Sequence, residues 1–180
     1  MMTTDQISMS LCKELVASEI STRCFIVGFL TKKLLDEYGN KVLDTIKEAN
    51  YEAGLVSGKQ AAQALGKNDL EALARLFGES SGTKVFDPEL IELTRDKAIV
   101  HWTACSVPSL IGPFKDRGMP DDYLEFICPI LEQFDKGFAE GFNPELTVRT
   151  PPEVGEMGLA KGDKYCTVIV MKKPRRQKTK

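Results

Sequence analysis

The chain has 180 residues, of which 42% are hydrophobic and 28% are charged, and its formal net charge is −2. This composition is typical of a folded protein with a sizeable core, and it excludes a fibre or a disordered chain. The six lysines and arginines after Met171 are a quarter of the 24 in the chain, so the body is acidic and the C-terminus is basic. We predict one domain over residues 1–171, followed by a basic, flexible tail over residues 172–180.

Several classes of partner are not expected. The tail has no aromatic residue on which bases could stack, so we expect no nucleic-acid partner. The longest unbroken apolar run near the N-terminus, Cys24–Leu30, is far short of the roughly 20 residues that span a bilayer, and no cleavable signal pattern precedes it. We therefore expect a cytoplasmic protein with no membrane partner.

The chain has five cysteines and no C-x-x-C pair. An odd number of scattered cysteines is typical of reduced thiols rather than of a disulfide framework. A zinc site built from the last three cysteines and His101 would have long, irregular gaps between its ligands, so we predict no metal. No other residue pattern demands a cofactor.

The first part of the chain is predicted to be helical. Apolar residues recur at helical spacing over about residues 4–37, 42–56 and 68–77. We expect the first segment to form one or two amphipathic helices that end at Gly39, with Asn40 as the N-cap of the next helix. Gly78 is expected to close the third segment. The N-terminal helices would thus occupy about residues 4–78.

The pattern changes after the loop sequence "GESSGT". Two runs rich in β-branched residues predict a hairpin, over about Glu89–Thr94 and Ala98–Ala104. Helical spacing returns over residues 107–116 and 120–140, with a kink expected at Pro129. Two more strands follow, over about Glu145–Thr150 and Tyr165–Met171. Since strands and helices do not alternate, the sequence predicts an α+β fold with an antiparallel sheet.

The strand sequence "HWTAC" carries the only histidine of the chain. Its period of two predicts that His101, Thr103 and Cys105 face one side of the sheet. Four residues of strand span about 13 Å, so a pair of nucleophile and base would require Cys166 from another strand. Alternatively, the cysteines pack as small apolar side chains and His101 is an ordinary polar residue on a sheet.

A turn precedes the last strand. Gly162 and Asp163 signal that turn, and Cys166 follows it at the start of the strand. The Asp163 carboxylate could cap its own turn through the backbone, or it could face a substrate or a water molecule.

Three polar residues share one stripe of the helix after Pro120. Cys128, Glu132 and Asp135 are spaced at i, i+4 and i+7. Two carboxyl groups on a half-buried face would raise one pKa and provide an acid and a base. The stripe could equally be the solvated edge of an amphipathic helix.

The order of these residues resembles the L-2-amino-thiazoline-4-carboxylic acid hydrolase family. The resemblance covers about residues 100–171, and its most specific parts are "FDKGFAEGFNPEL" and "GDKYC". In chain order it includes Cys105, Cys128, Asp135, Gly141–Pro144 and Leu159–Cys166. The closing "GDKYC" is also similar to the end of the vinyl-reductase-type ligand-binding domains.

The resemblance implies the hydrolytic opening of a small cyclic amidine by C–N cleavage. Water or a thiolate would attack the ring carbon between nitrogen and sulfur, and an acid would protonate the leaving group. The implied nucleophile, or substrate-contacting thiol, is Cys105 or Cys166. Asp135 and Asp163 would be acid and base, with His101 as a supporting proton carrier.

The resemblance also implies residues that bind the small-molecule substrate, namely Cys128, Glu132, Asn143 and Arg149. Arg149 would be the cation for the substrate carboxylate. Two other readings stay open at this point. The same residues could line the pocket of a non-catalytic domain that binds a small molecule or a soft metal, or the fold could persist without the chemistry. The long N-terminal helices could form a homodimer.

Overall fold

The computed structural model describes residues 4–79, 86–105, 123–151, 153–155 and 158–174. The described helices are α1 (Thr4–Tyr38), α2 (Leu43–Leu65), α3 (Leu70–Glu79) and α4 (Tyr123–Phe142), with short 3-10 helices at Asn40–Val42 and Leu159–Lys161. The strands are β1 (Pro88–Leu93), β2 (Lys97–Trp102), β3 (Leu146–Arg149) and β4 (Cys166–Lys172). The predicted α+β fold is confirmed. The helix predicted over residues 107–116 lies outside the described residues.

The four strands form one antiparallel sheet with the order β1-β2-β4-β3. The last strand therefore lies beside the hairpin, and Trp102 pairs with Cys166 at one end of the β2–β4 ladder. We predicted that β2 would extend to Ala104, but it ends at Trp102. Beyond that residue the backbone N–H groups of Thr103 and Ala104 donate to the carbonyls of Asp87 and Phe86, so the regular alternation of side chains stops there.

Two predictions about helix ends are wrong. Asn40 is not an N-cap, because it begins a 3-10 helix, and α2 follows Val42 without a side-chain cap. Gly78 does not close α3, which continues to Glu79. A Cβ at Gly78 would lie 3.6 Å from the Leu90 Cβ, in ordinary contact, so this glycine packs inside the helix against β1. At the other end of α3, the Asp69 carboxylate accepts a hydrogen bond from the Ala72 N–H at 2.8 Å and caps the helix.

The first residues of the predicted tail belong to the folded domain. Lys172 is the last residue of β4, and its Nζ lies 2.9 Å from an Asp96 carboxylate oxygen. The Nζ of Lys173 lies 2.7 Å from a Glu140 carboxylate oxygen. Lys172 and Lys173 thus contact the folded part of the chain, and the division into one domain and a flexible tail stays a prediction. Residues 175–180 lie outside the described residues.

The main core lies between the sheet and the helices that pack on it. Its buried side chains come from α3, α4 and the strands β2, β3 and β4, and they include Leu73, Phe77, Val100, Phe142, Val148, Val168 and Val170. Their burial removes a large apolar area from water, which is the dominant stabilising term in folding. This core fixes one end of α4 against the sheet.

Four glycines allow α2 and α4 to touch backbone to backbone. Gly54 and Gly58 lie on α2, and Gly137 and Gly141 lie on α4. A Cβ at Gly58 would overlap the Phe138 carbonyl oxygen, and it would stand only 2.7 Å from the Phe142 nitrogen. Glycine is therefore required at these positions for lack of space. The close contact holds α4, and with it the stripe of Cys128, Glu132 and Asp135, in one position.

Candidate functional site

A cavity of about 130 Å³ lies between α1, α4 and the end of the sheet where β2 pairs with the start of β4. Four cysteines from four parts of the chain line it, namely Cys24, Cys105, Cys128 and Cys166. The other polar lining residues are Arg23, Glu132, Asp135 and Thr150, and the apolar ones include Phe86, Trp102, Leu131, Pro151 and Val168. The fold thus gathers thiols and carboxyl groups that are far apart in sequence.

Five of the nine predicted site residues line this cavity, namely Cys105, Cys128, Glu132, Asp135 and Cys166. The spacing of i, i+4 and i+7 places three of them along the cavity-facing stripe of α4. The other two lie near the paired ends of β2 and β4. The remaining four predicted residues lie elsewhere.

His101 lies outside the cavity lining. Its ring stacks on Tyr165 with centroids 3.8 Å apart and an interplanar angle of 10°. The neighbouring Trp102 lines the cavity, so His101 faces the opposite side of the sheet. The prediction that His101 and Cys105 share a face is wrong, because the strand ends at Trp102 and Cys105 reaches the cavity from the irregular segment that follows.

Asn143 and Arg149 have positions that do not fit the predicted role in substrate binding. The Asn143 side chain donates to the Asn68 carbonyl at 2.7 Å and accepts from the Glu145 N–H at 2.9 Å, so it connects the end of α4 to the residues before α3. Arg149 is exposed on the edge strand β3, between the buried Val148 and Thr150. Neither residue lines the cavity.

Asp163 organises the turn that precedes Cys166. Its carboxylate accepts a hydrogen bond from the Gly158 N–H at 2.7 Å. Within the same turn, the Leu159 N–H donates to the Cys166 sulfur at 3.1 Å. Gly158 has φ of +82°, and a Cβ there would stand 3.1 Å from the same sulfur. The turn therefore brings a backbone donor to Cys166, and Asp163 lies outside the cavity lining.

This turn gives a first testable prediction, on the reactivity of Cys166. A backbone N–H donor favours the charged form of sulfur, which is the nucleophilic form. Asp163→Ala removes the carboxylate that fixes the turn, so alkylation of Cys166 by iodoacetamide at pH 7 is expected to slow several-fold. Asp163→Asn keeps an acceptor oxygen and should react at nearly the wild-type rate. Peptide mass spectrometry measures each rate, and equal rates in the two variants would contradict this role of the carboxylate.

The two carboxyl groups of the cavity are shifted toward their neutral forms. Burial raises the pKa of Glu132 to about 7, and the nearby charge of Asp135 adds to the rise. The Thr150 hydroxyl partly opposes it, although this buried group makes no well-formed hydrogen bond among the described residues. Burial raises the pKa of Asp135 to about 7 as well, against the opposing charge of Arg23. Near neutral pH the site therefore holds both proton donors and proton acceptors.

The thiols of the cavity do not all have the same chemistry. Burial raises the pKa of Cys128 to about 12, and the charges of Cys105 and Glu132 contribute. Burial also raises the pKa of Cys24. Both thiols are therefore protonated at neutral pH and poorly nucleophilic. This leaves Cys105 and Cys166, the two cysteines predicted as nucleophile or substrate-contacting thiol, as the cavity thiols open to that role.

The raised carboxyl pKa values give a second prediction, on stability. An unfolded carboxyl group has a pKa of about 4, so the folded state binds more protons than the unfolded state between about pH 4 and pH 7. Stability from these two groups is thus lost as the pH rises through that range. The permanently neutral variants Glu132→Gln and Asp135→Asn are expected to raise Tm at pH 8, and less so at pH 5. Thermal melts at the two pH values measure the difference, and a lower Tm at pH 8 would show that the carboxylates are held by stabilising partners.

Arg23 is a cavity residue that no sequence pattern singles out. Its guanidinium carbon lies 4.8 Å from the centroid of the Phe134 ring, in the range of a cation–π contact. Arg23 is exposed at the cavity lining, one residue before the buried Cys24. In the sequence it is one of many charges that flank the apolar stripe of α1, and only the packing of α1 on α4 distinguishes it.

The described residues were also considered for a metal site and for a membrane-spanning helix. They contain no group of three or more His, Cys, Asp or Glu side chains arranged to hold a metal ion. None of the helices formed by these residues combines the length and the apolar character needed to cross a membrane.

The fold of the chain is similar to that of a trafficking protein whose structure is solved. The solved structure is a trafficking protein particle complex subunit 3 from Naegleria fowleri, covalently bound to palmitic acid, with a TM-score of 0.57. The similarity covers 86% of this chain and 95% of that chain at 10% sequence identity, so it shows a shared fold. A comparison with curated proteins gives no match.

The sequence itself defines the family. The family model described as L-2-amino-thiazoline-4-carboxylic acid hydrolase matches residues 17–170. The chain therefore belongs to this family. The match includes α2, α3, α4, the whole of β1, β2 and β3, and all five cavity residues that the sequence predicted.

Proposed function

We propose that the protein is a hydrolase that opens the ring of a small cyclic amidine, such as 2-amino-thiazoline-4-carboxylate. The observation that carries the proposal is the pair of cavity carboxyl groups, Glu132 and Asp135, each with a pKa of about 7. General acid and base catalysis is most effective when the pKa lies near the working pH. The cavity of about 130 Å³ is smaller than the roughly 300–1,000 Å³ of pockets for drug-sized ligands, which favours a single small ring.

The reaction needs one base and one acid. The base removes a proton from water, and the water oxygen forms a bond with the ring carbon that lies between nitrogen and sulfur. The acid gives a proton to the ring nitrogen, so that the ring C=N bond becomes a C–N bond and the carbon carries a hydroxyl group. The proton of that hydroxyl group then passes to the same nitrogen as the C–N bond breaks, so both protons of the water end on the amino group that is released, and the exocyclic amino group stays on the carbonyl carbon that results. The product of C–N cleavage is an S-carbamoyl cysteine. No oxidant or reductant is required.

The charges around the two carboxyl groups suggest how the roles are divided. Arg23 favours the charged form of Asp135, which makes Asp135 the better base. Around Glu132 the effects oppose each other, because Asp135 and Glu153 disfavour its charged form while Thr150 and Lys136 favour it. We therefore assign the acid to Glu132 because the only charge that acts on its partner Asp135, that of Arg23, favours the base form of that partner. The division differs from the predicted pair of Asp135 and Asp163, since Asp163 holds a backbone turn instead.

Cys166 is the thiol that we propose to contact the reacting carbon. It accepts a hydrogen bond from the Leu159 N–H, and it lines the same cavity as the two carboxyl groups. As a thiolate it could attack the ring carbon in place of water, and a water molecule would then release the carbamoyl group from sulfur. Cys105 is the second candidate for this role.

The experiment that tests the proposal is an incubation of the purified protein with 2-amino-thiazoline-4-carboxylate, followed by mass spectrometry of the product. Wild type should form a product heavier than the substrate by one water. A thiol reagent added to the product distinguishes the two isomers, because C–N cleavage leaves no free thiol and C–S cleavage leaves one. Cys166→Ser and Cys105→Ser should show which thiol is needed. Absence of the product in wild type would refute the proposed activity.

A second candidate function is the binding of a small apolar molecule without catalysis. The apolar side chains around the cavity, among them Phe86, Trp102 and Leu131, support it, and the trafficking protein of similar fold holds a covalently bound fatty acid. In this case native mass spectrometry of the purified protein should show a retained ligand. Cys166→Ser would lose that ligand only if it is attached through sulfur.

The homodimer remains a proposal, and α1 offers a surface for it. Leu15, Ile26 and Leu30 are 62%, 62% and 56% exposed, and their helical spacing places them on one face of α1. We expect sedimentation to show a dimer for wild type and a monomer for Ile26→Glu combined with Leu30→Glu. A wild-type monomer at high protein concentration would contradict the prediction.

A further inference from the structure

Arg23 is a cation held at the edge of the cavity. The side chain is exposed, and the guanidinium group rests over the Phe134 ring, with its carbon 4.8 Å from the ring centroid. A cation–π contact of this kind holds the guanidinium group in place, and it does not use the N–H donors of that group. The residue precedes the buried Cys24, so the packing of α1 sets its position.

Arg23 forms no ion pair with any other of the described residues. Lys136 near the site differs in this respect, because it pairs with Glu153 at 2.7 Å. Arg23 interacts with the carboxyl group of Asp135, and its charge favours the charged form of that group. Burial opposes that shift and keeps the pKa at about 7, so near neutral pH Asp135 does not fully neutralise the cation.

We propose that Arg23 is the residue that selects ligands bearing a carboxylate, by forming a bidentate pair with that group at the edge of the cavity. The inference rests on the proposed site and names its ligand class, a small ring or chain with an anionic group. Arg23 replaces Arg149 in this role. Arg149 lies on the edge strand β3 and does not line the cavity.

The test uses two alkylating reagents of nearly equal size, iodoacetate, which carries a carboxylate, and iodoacetamide, which is neutral. In each reaction a cysteine thiolate displaces iodide and forms a bond between sulfur and carbon. The quantity measured is the ratio of the two rates at Cys166 and Cys105, followed by peptide mass spectrometry. Arg23→Gln should lower the ratio of the iodoacetate rate to the iodoacetamide rate by about tenfold, since a hydrogen-bonded charge pair is worth about 1.5 kcal/mol or more.

The matched control is Arg149→Gln, which removes the same charge from an exposed position outside the cavity and should leave the ratio unchanged. Arg23→Lys keeps the charge without the planar fork and should give an intermediate ratio. An unchanged ratio in Arg23→Gln, or an equal change in both glutamine variants, would overturn the proposal. The proposal would also be overturned if the cavity cysteines react with neither reagent, because small anions would then have no access to the cavity.

A second readout uses the proposed substrate beside 2-amino-thiazoline, which lacks only the carboxylate. Arg23→Gln should raise KM for the carboxylate about tenfold and change KM for the other ring by less than about twofold. Equal effects on both rings would overturn the role in selection. The ratio of the two alkylation rates can be measured without catalysis. If the wild-type protein hydrolyses neither ring, the proposed function is refuted, and the alkylation ratio still decides whether Arg23 selects carboxylates.

Discussion

Gly58→Ala is expected to lower the free energy of unfolding by about 3 kcal/mol, the upper part of the range for an overpacked core. A Cβ at this position would overlap the Phe138 carbonyl oxygen and stand 2.7 Å from the Phe142 nitrogen. These backbone atoms lie in the last turns of α4 and cannot move aside without separating the two helices. The cost therefore exceeds the roughly 1 kcal/mol that alanine gains over glycine in a helix.

The control for this substitution is Gly78→Ala in α3, where the added Cβ would make only ordinary contacts, 3.6 Å from the Leu90 Cβ. This variant should be as stable as wild type or slightly more stable. Urea unfolding measures both values. If Gly58→Ala were as stable as Gly78→Ala, α2 and α4 would not be in backbone contact, and the position of the α4 stripe in the cavity would lose its support.

Glu132→Gln and Asp135→Asn are each expected to lower kcat/KM for the cyclic amidine by about 10²–10⁴-fold, the usual contribution of a positioned acid or base. Both variants should stay folded, because each replaces a half-buried carboxyl group by an amide of the same shape. Loss of activity together with a raised Tm at pH 8 would be the combined signature of a functional pair. Glu145→Gln, an exposed carboxyl group outside the cavity, should keep full activity.

The pH dependence of the hydrolysis rate follows from the same two carboxyl groups, Glu132 and Asp135. One carboxyl group must be charged and the other neutral, and both have a pKa of about 7. The interaction between Asp135 and Glu132 separates the two proton losses, so the rate should pass through a maximum near pH 7 and fall on both sides. A rate that keeps rising toward pH 9 would instead indicate that a thiolate, or another base, limits the reaction.

The parts of the fold that depend on local periodicity could be predicted from the sequence. The spacing of Cys128, Glu132 and Asp135 indicated a shared stripe on α4, and the structure places all three at one cavity. The predicted hairpin and the last two strands also agree with β1 to β4 to within two residues at each end. Such patterns are read correctly because helix and strand periods fix which side chains share a face.

The rest of the site depends on contacts that no local pattern contains. The face of Cys105 was misjudged because the strand ends two residues early, and the end is set by hydrogen bonds to Phe86 and Asp87. The resemblance implied a catalytic role for Asp163, but its carboxylate accepts a hydrogen bond from the N–H of Gly158, five residues earlier, as in the alternative of a turn cap. Arg23 could not be selected from the sequence, since its contact with the Phe134 ring depends on how α1 packs on α4.

The measurement that tests the central claim most directly is the mass of the product formed from 2-amino-thiazoline-4-carboxylate in water labelled with oxygen-18. The claim is that the cavity lined by Glu132, Asp135 and Cys166 hydrolyses a cyclic amidine. Wild type should form a carbamoyl cysteine that carries one labelled oxygen on the carbamoyl carbon, and the double variant with Glu132→Gln and Asp135→Asn should form none. Unlabelled product, equal product from the double variant, or no product from wild type would contradict the claim.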